Sequence, residues 1–324
     1  MPLSEFEIIR RFFTHRACSA VLGVGDDAAI VRARRGRELV LTTDMLVSGR
    51  HFLADADAER LGHKALAVNL SDIAAMGAAP RWAMLSIALP RADVRWLAAF
   101  SRGFMRLARR HGVDLIGGDT TRGPLAICVQ VVGDVPAGQA LRRDGARVGD
   151  DVWVSGALGD AALALAAMKG RLAVGRRERA RLERKLDAPV PRLALGQRLR
   201  GIARSAIDIS DGLLADLGHI CERSRVAAVI EFARVPRSSV LQRVLGRPAA
   251  RSALLAGGDK YELCFTAART QRMAITRLAR RMRLILTRIG RITPRRRGAT
   301  ALVTVLGPDG KPLRFERTGF DHFG

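Results

Sequence analysis

The chain of 324 residues is long enough for two domains of ordinary size, and a hydrophobic content of 48% is ample for packed cores. The formal net charge of +24 would normally indicate a nucleic-acid partner, because clustered Lys and Arg neutralise phosphates. The charge is instead scattered in short arginine runs, and an aromatic content of 5% gives no sign of the stacking surfaces of single-strand binders. We therefore expect no specific nucleic acid, and a basic nucleic-acid-associated protein stays as the alternative outside enzymology.

The cysteines lie far apart and form no C-x-x-C pair; they are Cys18, Cys128, Cys221 and Cys264. This usage favours reduced thiols in a cytosolic protein over disulfides or a zinc site. The N-terminus has an acidic start and a broken apolar run, unlike the basic-then-apolar layout of a signal peptide. No uninterrupted stretch approaches the roughly 20 apolar residues of a membrane helix. We expect a cytoplasmic protein with no membrane contact.

Residues 5–14 predict a short amphipathic helix, because their apolar side chains recur at helical spacing. The next segment, residues 21–31, reads V-L-G-V-G-D-D-A-A-I-V. Its Gly-x-Gly-x-x-Ala spacing superficially matches a dinucleotide fingerprint, but no helix pattern opens on it, so we regard the match as spurious. The sequence supports two interpretations of Asp26 and Asp27 equally well. Gly25 could turn the backbone so that Asp26 and Asp27 share a cation, or a hairpin could leave both aspartates solvated.

A strand over residues 38–44 ends on two hydroxyls and a carboxylate, those of Thr42, Thr43 and Asp44. Hard oxygen ligands at a strand end suit Mg²⁺, which prefers carboxylates, waters and substrate phosphates. His51 follows in a loop and, taken alone, is better explained as a surface imidazole.

Residues 65–79 form an apolar or small-residue segment in which Asp72 is the only charged residue. A carboxylate buried there would take a proton, bind a cation or accept several hydrogen bonds. The simpler alternative is that Asn69, Ser71 or Asp72 caps a helix that follows the one predicted over residues 58–67. Taken alone, the segment favours the interpretation that one of these three residues caps a helix.

The rest of the first half predicts a strand over 81–89, a helix over 93–111 ending at Gly112, and strands over 113–116 and 125–132. A glycine-rich acidic turn over residues 117–123 separates the last two strands. Its two glycines, before Asp119, permit close backbone approach to a nucleotide phosphate. Residues 136–147 read as the crossover between domains.

The second half predicts strands over 151–155 and 205–212 and helices over 171–187, before residue 200 and over 213–224. Asp208 and Asp211, with Ser210 between them, lie where a strand becomes a helix, a recurrent place for phosphate and metal chemistry. An N-cap by Ser210 or Asp211 explains one of these three residues but not Asp208. A second glycine-rich segment, 257–265, and a C-terminal tail with two aromatic residues close the chain.

The chain has no G-x-x-x-x-G-K-[ST] loop, no kinase H-R-D set and no G-x-S-x-G elbow. It has instead five separate acidic turns, at Asp26/Asp27, Asp44, Asp72, Asp119 and Asp208/Asp211. Their convergence would form a polyvalent Mg²⁺ site, and phosphoryl transfer needs little beyond in-line positioning and charge neutralisation. An ATP-dependent enzyme is therefore the leading class.

Several motifs, in chain order, resemble those of the thiamine-monophosphate kinase family. They are V-G-D-D-A-A, T-T-D-M-L-V-x-G-x-H-F, K-A-L-A-V-N-L-S-D-I-A-A-M-G-A, L-I-G-G-D-T-T-R-G, D-I-S-D-G-L, G-G-D-K-Y-E-L-C-F-T and G-F-D-H-F-G. The S-D-G and G-G-D pieces indicate only the wider superfamily of aminoimidazole-ribotide synthetase-like ATP enzymes. The H-F pair, the N-L-S-D-I-A-A-M-G-A run and the D-H-F-G ending are more specific.

The resemblance implies direct, Mg²⁺-dependent transfer of the ATP γ-phosphoryl group to thiamine monophosphate, with catalytic roles for Asp72, Asp119 and Asp211. It implies several Mg²⁺ ions, held by Asp27, Thr42, Thr43, Asp44, Asp72, Asp119, Asp208 and Asp211. The implied ATP contacts are Gly118, Asp119, Arg143 and Ser210. The implied contacts to thiamine monophosphate are His51, Asp259 and Phe320. In this context we interpret Asp72 as a metal ligand rather than a cap.

The implied fold is α/β, of the α+β type, with two domains. Residues 1–138 would bind ATP and Mg²⁺ and pair their sheet with that of a second subunit in a dimeric barrel. Residues 139–324 would form an α/β sandwich that completes the nucleotide and substrate site. The protein is thus expected to be a homodimer.

Two positions depart from the family pattern. Asp259-Lys260 stands where the family usually has Glu-Asp, which shortens one carboxylate and reverses one charge. We interpret Lys260 as attracting the substrate phosphate. Phe320 stands where the family prefers Trp or Tyr, and it can stack on a thiamine ring without donating a hydrogen bond. The alternative enzyme is another superfamily member, such as an aminoimidazole-ribotide synthetase or a hydrogenase-maturation ATPase.

Overall fold

The computed structural model of the chain describes residues 3–296, 298, 301–315 and 319–320. The D-H-F-G ending, residues 321–324, which carries part of the resemblance, lies outside the described residues. The chain divides into two compact units, which comprise Met1–Ile73 with Ala78–Gln139, and Ala74–Gly77 with Ala140–Gly324. None of the described helices is long and apolar enough to cross a membrane.

The first unit contains one mixed sheet and the helices that accompany it. Its strands are β1 (Arg37–Val47), β2 (Ala79–Leu89), β3 (Asp114–Arg122) and β4 (Ala126–Pro136), and its helices are α1 (Glu5–Ile8), α2 (Ala58–Ala75) and α3 (Val94–His111). The strands lie in the order β1-β4-β2-β3, with only β2 and β3 parallel. The described sheet is open, and no closed barrel forms within it.

Helices α2 and α3 supply the core of this unit. Leu66 and Leu70 of α2 and Phe100 and Phe104 of α3 are fully buried. The two helices approach so closely that a Cβ atom at Gly103 would lie 1.8 Å from the carbonyl oxygen of Glu59. The predicted ends of α3 are confirmed, because Asp93 caps its N-terminus and Gly112 ends it in the left-handed conformation.

Three predictions of local structure in this unit are wrong or incomplete. Helix α2 runs unbroken through Asn69, Ser71 and Asp72, so none of them caps a following helix. Strand β3 runs through residues 117–119, so the predicted glycine-rich turn is part of an edge strand. The predicted helix over residues 5–14 is a single α-helical turn that continues as a π-helical turn. In each case tertiary packing outweighs the local pattern.

One face of β1 is apolar and exposed. Leu39, Leu41, Met45 and Val47 alternate along the strand and all expose a large part of their surface, with Leu41 70% exposed. The side chains between them, among them Thr42 and Asp44, lie on the other face, which is more buried. An apolar sheet face left open in this way is typical of an interaction surface.

The second unit is built on a larger mixed sheet. Its strands are β5 (Asp151–Ser155), β6 (Ser205–Asp208), β7 (Val226–Glu231), β8 (Leu263–Ala267), β9 (Leu286–Pro294), β10 (Val303–Leu306) and β11 (Pro312–Leu313). Its helices are α4 (Asp160–Met168), α5 (Arg176–Asp187), α6 (Leu193–Leu199), α7 (Leu213–Arg223), α8 (Ser239–Val244), α9 (Pro248–Leu255) and α10 (Arg272–Met282). The strand order is β11-β10-β7-β9-β5-β8-β6. The predicted two-domain α/β fold with mixed sheets is therefore confirmed.

The core of the second unit joins the sheet to α7. Leu217 and Ile220 of α7 are fully buried in one cluster with Val152 and Val154 of β5. Cys221 and Cys264 belong to the same cluster, and burial raises the pKa of the Cys221 thiol to about 12. Each cysteine of the chain lies within the described residues and is a free thiol. The prediction of reduced, packed thiols holds for the two buried cysteines.

Candidate functional site

In the first unit the structure brings together Thr42 of β1 and Asp72 of α2. The Thr42 hydroxyl donates to Oδ2 of Asp72 over 2.5 Å. The two residues are thirty positions apart in the sequence. Asp72 is therefore oriented by a strand hydroxyl, as a positioned carboxylate would be, rather than used to cap a helix.

The predicted ligands Asp44 and Asp119 lie far apart in the sheet of this unit. Asp44 of β1 pairs through Val129 and Leu85 to Gly118 of β3, so Asp44 and β3 lie at opposite edges of the sheet. Three strand spacings correspond to roughly 14 Å. Within the residues that the structure describes, no three His, Cys, Asp or Glu side chains come close enough to hold a metal ion.

Thr43 and Asp119 occupy exposed positions on the sheet. Thr43 follows Thr42 in the same strand, so the two hydroxyls point to opposite faces, and the Thr43 hydroxyl contacts Sγ of Cys128 at 3.4 Å. Asp119 is exposed on the edge strand β3. Gly118 precedes it with φ +145°, and a Cβ atom there would lie 1.8 Å from the carbonyl oxygen of Leu85. Close approach to β2 is a packing reason for Gly118.

Asp26 and Asp27 lie in a reversal of the chain closed by an antiparallel bridge between Leu22 and Ile30. Both aspartates are exposed, and Oδ1 of Asp26 accepts from the main-chain N–H of Asp27. This geometry matches the hairpin interpretation. The described chain continues from here to β1 without an intervening helix, so the dinucleotide fingerprint is indeed spurious.

His51 is partly buried in the loop after β1. Its Nδ1 accepts a hydrogen bond from the main-chain N–H of Val47 over 3.0 Å. A neutral imidazole with an acceptor at Nδ1 carries its proton at Nε2. The sequence suggested a surface imidazole, but the ring is oriented by the backbone.

In the second unit, two motif segments run side by side. The main-chain N–H of Asp259 donates to the carbonyl oxygen of Ser210 over 2.8 Å, and that of Tyr261 donates to Ile209 over 2.9 Å. Ile209 in turn donates to the carbonyl oxygen of Glu262 over 2.8 Å. These bonds extend the β6–β8 pairing beyond Asp208, which ends β6 and is buried. The structure therefore places Asp259 beside Ser210, two residues after Asp208.

The segment with Asp259 has a strained backbone. Asp259 and Tyr261 have φ angles of +60° and +51°, in the left-handed region. Such conformations cost roughly 1–3 kcal/mol each for residues other than glycine and cluster at functional sites. The Tyr261 hydroxyl donates to Oδ1 of Asp259 over 3.0 Å. The turn thus holds the carboxylate of Asp259 in a defined orientation.

The C-terminal segment joins this site. The main-chain N–H of Phe320 donates to the carbonyl oxygen of Asp211 over 3.0 Å, and the Phe320 side chain is 47% exposed. A Cβ atom at Gly319 would lie 2.5 Å from Cβ of Ala215, so the chain lies directly against α7 here. The main chain of Phe320 is thus held beside Asp211, and its aromatic side chain is partly exposed.

A buried carboxylate supports the turn before α7. Oδ2 of Asp216 accepts from the main-chain N–H groups of Asp211 and Gly212, over 3.2 and 3.0 Å. Neither Ser210 nor Asp211 caps α7, because its N-cap residue is Gly212. Burial raises the pKa of Asp216 to about 7, although the hydrogen bond from Gly212 works in the opposite direction.

Lys260 uses its ammonium within the protein, which argues against the predicted attraction of a substrate phosphate. Its ammonium donates to the carbonyl oxygen of Leu254 over 2.6 Å, at the end of α9. Burial lowers its pKa to about 7, while attraction to Asp216 and Asp160 works in the opposite direction. Its neighbours Asp259 and Tyr261 are both in left-handed conformations.

Glu262, next to the same turn, belongs to a buried ion pair. Its carboxylate accepts from Nε of Arg192 over 2.7 Å and from the Ser155 hydroxyl. Ser155 also accepts from the main-chain N–H of Leu263 over 2.9 Å. All polar groups of this cluster are used to fix the start of β8, so its role is structural.

Arg143 lies away from the other ATP contacts predicted for this unit. Its carbonyl oxygen accepts from the Ser224 hydroxyl, beyond the C-terminal end of α7, whereas Asp211 lies before the N-terminal end. The eleven residues of α7 correspond to roughly 16 Å. Within this unit, the structure does not bring the backbone of Arg143 to Ser210.

Sequence reasoning missed Asp216 and considered Asn69 only as a possible helix cap. Asp216 stands in the first turn of the helix after S-D-G, where carboxylates bind helix N-terminal N–H groups, and that position was the available signal. Asn69 lies one turn before Asp72 on α2, and its buried Oδ1 has no hydrogen-bond partner in the described part of the chain. A buried acceptor of this kind is usually satisfied by water or an ion.

Comparison with known proteins first shows the class to which the two domains belong, the AIR synthase related proteins. Residues 25–135 match the family model described as AIR synthase related protein, N-terminal domain, and residues 147–303 match the C-terminal domain of the same description. The curated thiamine-monophosphate kinase of Escherichia coli (strain K12) is 42% identical over 327 residues, which cover 100% of this chain and 99% of that protein. The chain belongs to the thiamine-monophosphate kinase family.

Solved structures agree with this assignment. The crystal structure of thiamine-monophosphate kinase from Stenotrophomonas maltophilia has a TM-score of 0.86 and 49% identity, and covers 97% of this chain and 99% of that chain. A structure described as AaThiL complexed with AMPPCP and TMP has a TM-score of 0.77 and 32% identity, and covers 90% of this chain and 89% of that chain.

Proposed function

We propose that this chain transfers the γ-phosphoryl group of ATP to the phosphate of thiamine monophosphate, which yields thiamine diphosphate and ADP in thiamine diphosphate biosynthesis. The observation that carries the proposal is the convergence of Ser210, Asp211, Asp259 and Phe320 in the second unit of a member of this kinase family. The related complex with AMPPCP and TMP supports ATP and thiamine monophosphate as the substrate pair.

The reaction requires correct positioning of the two substrates more than it requires proton transfer. A phosphate oxygen of thiamine monophosphate is already ionised at neutral pH, so it attacks the γ-phosphorus without a strong base. A bond forms from that oxygen to the γ-phosphorus as the bond to the β–γ bridging oxygen breaks, and ADP leaves. The protein has to hold the two substrates in line and neutralise the charge on the transferred group.

The residues near thiamine monophosphate have distinct chemical roles. His51 would donate from Nε2 to the phosphate, because its Nδ1 is used by the backbone. Asp259 would attract the cationic thiazolium ring rather than the phosphate, since two anions repel. Phe320 would stack on a thiamine ring. The ATP contacts are assigned to Gly118, Asp119, Arg143 and Ser210.

Magnesium fits the donors that the structure orients. Mg²⁺ is usually bound by one or two carboxylates together with substrate phosphates, so a protein cage of three carboxylates is not required. The pair of Thr42 and Asp72 and the acceptor Oδ1 of Asn69 are oxygen donors of the right kind. We assign the ions to Asp72, Asp119 and Asp211, with further ligands at Asp27, Thr42, Thr43, Asp44 and Asp208. Bound Mg²⁺ would neutralise phosphate charge.

A homodimer in the cytoplasm completes the proposal. The exposed apolar face of β1, with Leu39, Leu41, Met45 and Val47, is the surface that a second copy would cover, as expected for a barrel shared between two sheets. The domain over residues 1–138 would bind ATP and Mg²⁺ and dimerise, and that over residues 139–324 would bind nucleotide and substrate.

The test is the dependence of ADP formation on the acceptor. The purified chain is given ATP and Mg²⁺, with thiamine monophosphate, with thiamine, or with neither. We expect ADP only with thiamine monophosphate, and none after Asp72→Asn. Steady ADP formation without thiamine monophosphate would point to another acceptor and would overturn the proposal.

A further inference from the structure

We propose that Lys260 is a positioning residue that acts through Asp259: its inward-facing ammonium anchors the strained turn and so fixes the carboxylate that meets thiamine monophosphate. This inference rests on the proposed function. It assigns a role to a lysine that does not itself touch the substrate.

The anchor of Lys260 lies at the end of a helix. The ammonium donates to the carbonyl oxygen of Leu254, which lies in the last turn of α9 (Pro248–Leu255). The carbonyl groups at a helix C-terminus lack partners within the helix and attract a positive charge. Lys260 therefore joins the turn to α9 by a charged hydrogen bond, which is stronger than one between neutral groups.

The same ammonium is attracted to two carboxylates on other helices. Asp160 lies in the first turn of α4 and Asp216 in the first turn of α7. Asp160 accepts from the Ser238 hydroxyl over 2.6 Å, and Asp216 accepts from the turn that presents Asp211. Lys185 and Arg181 also attract Asp160, whereas Lys260 attracts both carboxylates and so links the Asp259 turn to the Asp211 turn.

The turn needs such an anchor because its backbone is strained. Asp259 and Tyr261, on either side of Lys260, both have left-handed conformations. A strained backbone persists only where the surroundings hold it. The main-chain bonds to Ser210 and Ile209 fix one side of the turn, and Lys260 fixes the other. Without the anchor, Asp259 would sample other orientations, and binding of thiamine monophosphate would weaken.

The test is a double-mutant cycle on the full-length chain with Lys260→Met, Asp259→Asn and the double variant. Thiamine diphosphate formation gives kcat and the KM values for both substrates. We expect Lys260→Met to raise KM for thiamine monophosphate about tenfold, with KM for ATP within about twofold of the wild type. The double variant should bind thiamine monophosphate no worse than Asp259→Asn alone, because a residue that acts through another adds nothing once its target is removed.

Two further variants keep the test decisive. Lys169→Met removes an exposed lysine of the same unit and should change none of the three constants. Lys260→Gln keeps a side-chain N–H donor for the carbonyl oxygen of Leu254. It should therefore raise KM for thiamine monophosphate less than Lys260→Met does, and it replaces Lys260→Met if that variant does not fold. Multiplicative effects in the cycle, or equal rises in both KM values, would overturn the proposal. A wild-type chain that forms no thiamine diphosphate would overturn the proposed function instead.

Discussion

The Thr42 hydroxyl donates to Oδ2 of Asp72 over 2.5 Å and links strand β1 to helix α2. The bond gives the only charged residue of an apolar segment a fixed orientation. Since a hydroxyl that donates to a carboxylate also keeps an oxygen lone pair available, both groups can serve one cation. The relationship therefore supports Asp72 as a reactive-site carboxylate.

Substitutions of Asp72 and Thr42 should separate an effect on kcat from an effect on the Mg²⁺ requirement. Asp72→Asn should lower kcat at least about 100-fold, because the carboxylate proposed to hold Mg²⁺ against the transferred phosphate is lost. Thr42→Val should raise the Mg²⁺ concentration for half-maximal activity about tenfold, and Thr43→Val, on the opposite face of the strand, should have the smaller effect. Titration of activity with Mg²⁺ measures both. A larger effect of Thr43→Val would contradict the assignment of Thr42 to Asp72.

The aromatic ring of Phe320 should contribute to substrate binding. Phe320→Ala should raise KM for thiamine monophosphate about three- to tenfold, in line with the worth of an aromatic stacking pair. Phe320→Trp should restore the constant to the wild-type range. Phe6→Ala, at an exposed phenylalanine of the first unit, is the control and should leave the constant unchanged. Equal constants for Phe320→Ala and the wild type would remove Phe320 from the site.

The ion pair of Arg192 and Glu262 should contribute strongly to stability. Arg192→Met leaves the buried carboxylate of Glu262 without its cation, so the free energy of unfolding should fall by about 3 kcal/mol. Arg179→Met breaks an exposed pair with Glu183 and should cost less than about 1 kcal/mol. Urea unfolding of the three proteins gives the comparison. Similar losses for both variants would contradict a special role for the buried pair.

Asp151 should make unfolding sensitive to acid. Burial alone would raise its pKa, but Arg272 and Arg288 outweigh this and hold the pKa below the ordinary value of 3.8. A pKa that is lower in the folded state gives stability that is complete above the unfolded pKa and is lost as the pH falls through the folded one. The free energy of unfolding should therefore decrease below about pH 4.

Two variants identify the source of this pH dependence. Asp151→Asn should unfold more easily at pH 7 and should lose part of the decrease below pH 4, because it has no carboxylate to protonate. Asp309→Asn, at an exposed carboxylate, should keep the wild-type profile. Parallel profiles for Asp151→Asn and the wild type would show that Asp151 is not the group that titrates.

The apolar face of β1 should determine the oligomeric state. Leu41→Glu places a charge at a side chain that is 70% exposed in the single chain and should convert a dimer to a monomer, as measured by light scattering. Met273→Glu changes a residue of α10 that is 67% exposed and should leave the mass unchanged. A monomeric wild-type chain would exclude the proposed dimer.

Local patterns predicted the elements whose own residues determine them. Helix α3 was recognised because its apolar residues recur at helical spacing and Gly112 ends it, and the strand before α7 was recognised from its strand-like pattern. Helix α2 was cut short because Asn69, Ser71 and Asp72 are typical caps, and only burial of the surrounding apolar side chains shows that the helix continues. A single sequence does not contain this information.

The candidate site, like the fold, was predicted where local motifs determine it and missed where tertiary contacts do. The motifs identified Ser210, Asp211 and Asp259 as neighbours in function, and hydrogen bonds between main-chain groups confirm that they are neighbours in space. The inward turn of Lys260 was missed because a single sequence does not show that its ammonium reaches the carbonyl oxygen of Leu254. Asp216 was missed although its position in the first turn of α7 was a signal, because its partners are main-chain N–H groups.

The most direct test of the central claim follows the phosphoryl group itself. The chain is incubated with Mg²⁺, thiamine monophosphate and ATP labelled at the γ-phosphorus, beside the variant Asp211→Asn. We predict that label appears in thiamine diphosphate in a one-to-one ratio with ADP, and that Asp211→Asn abolishes both. Label released only as inorganic phosphate, or thiamine diphosphate without label, would contradict direct transfer to thiamine monophosphate.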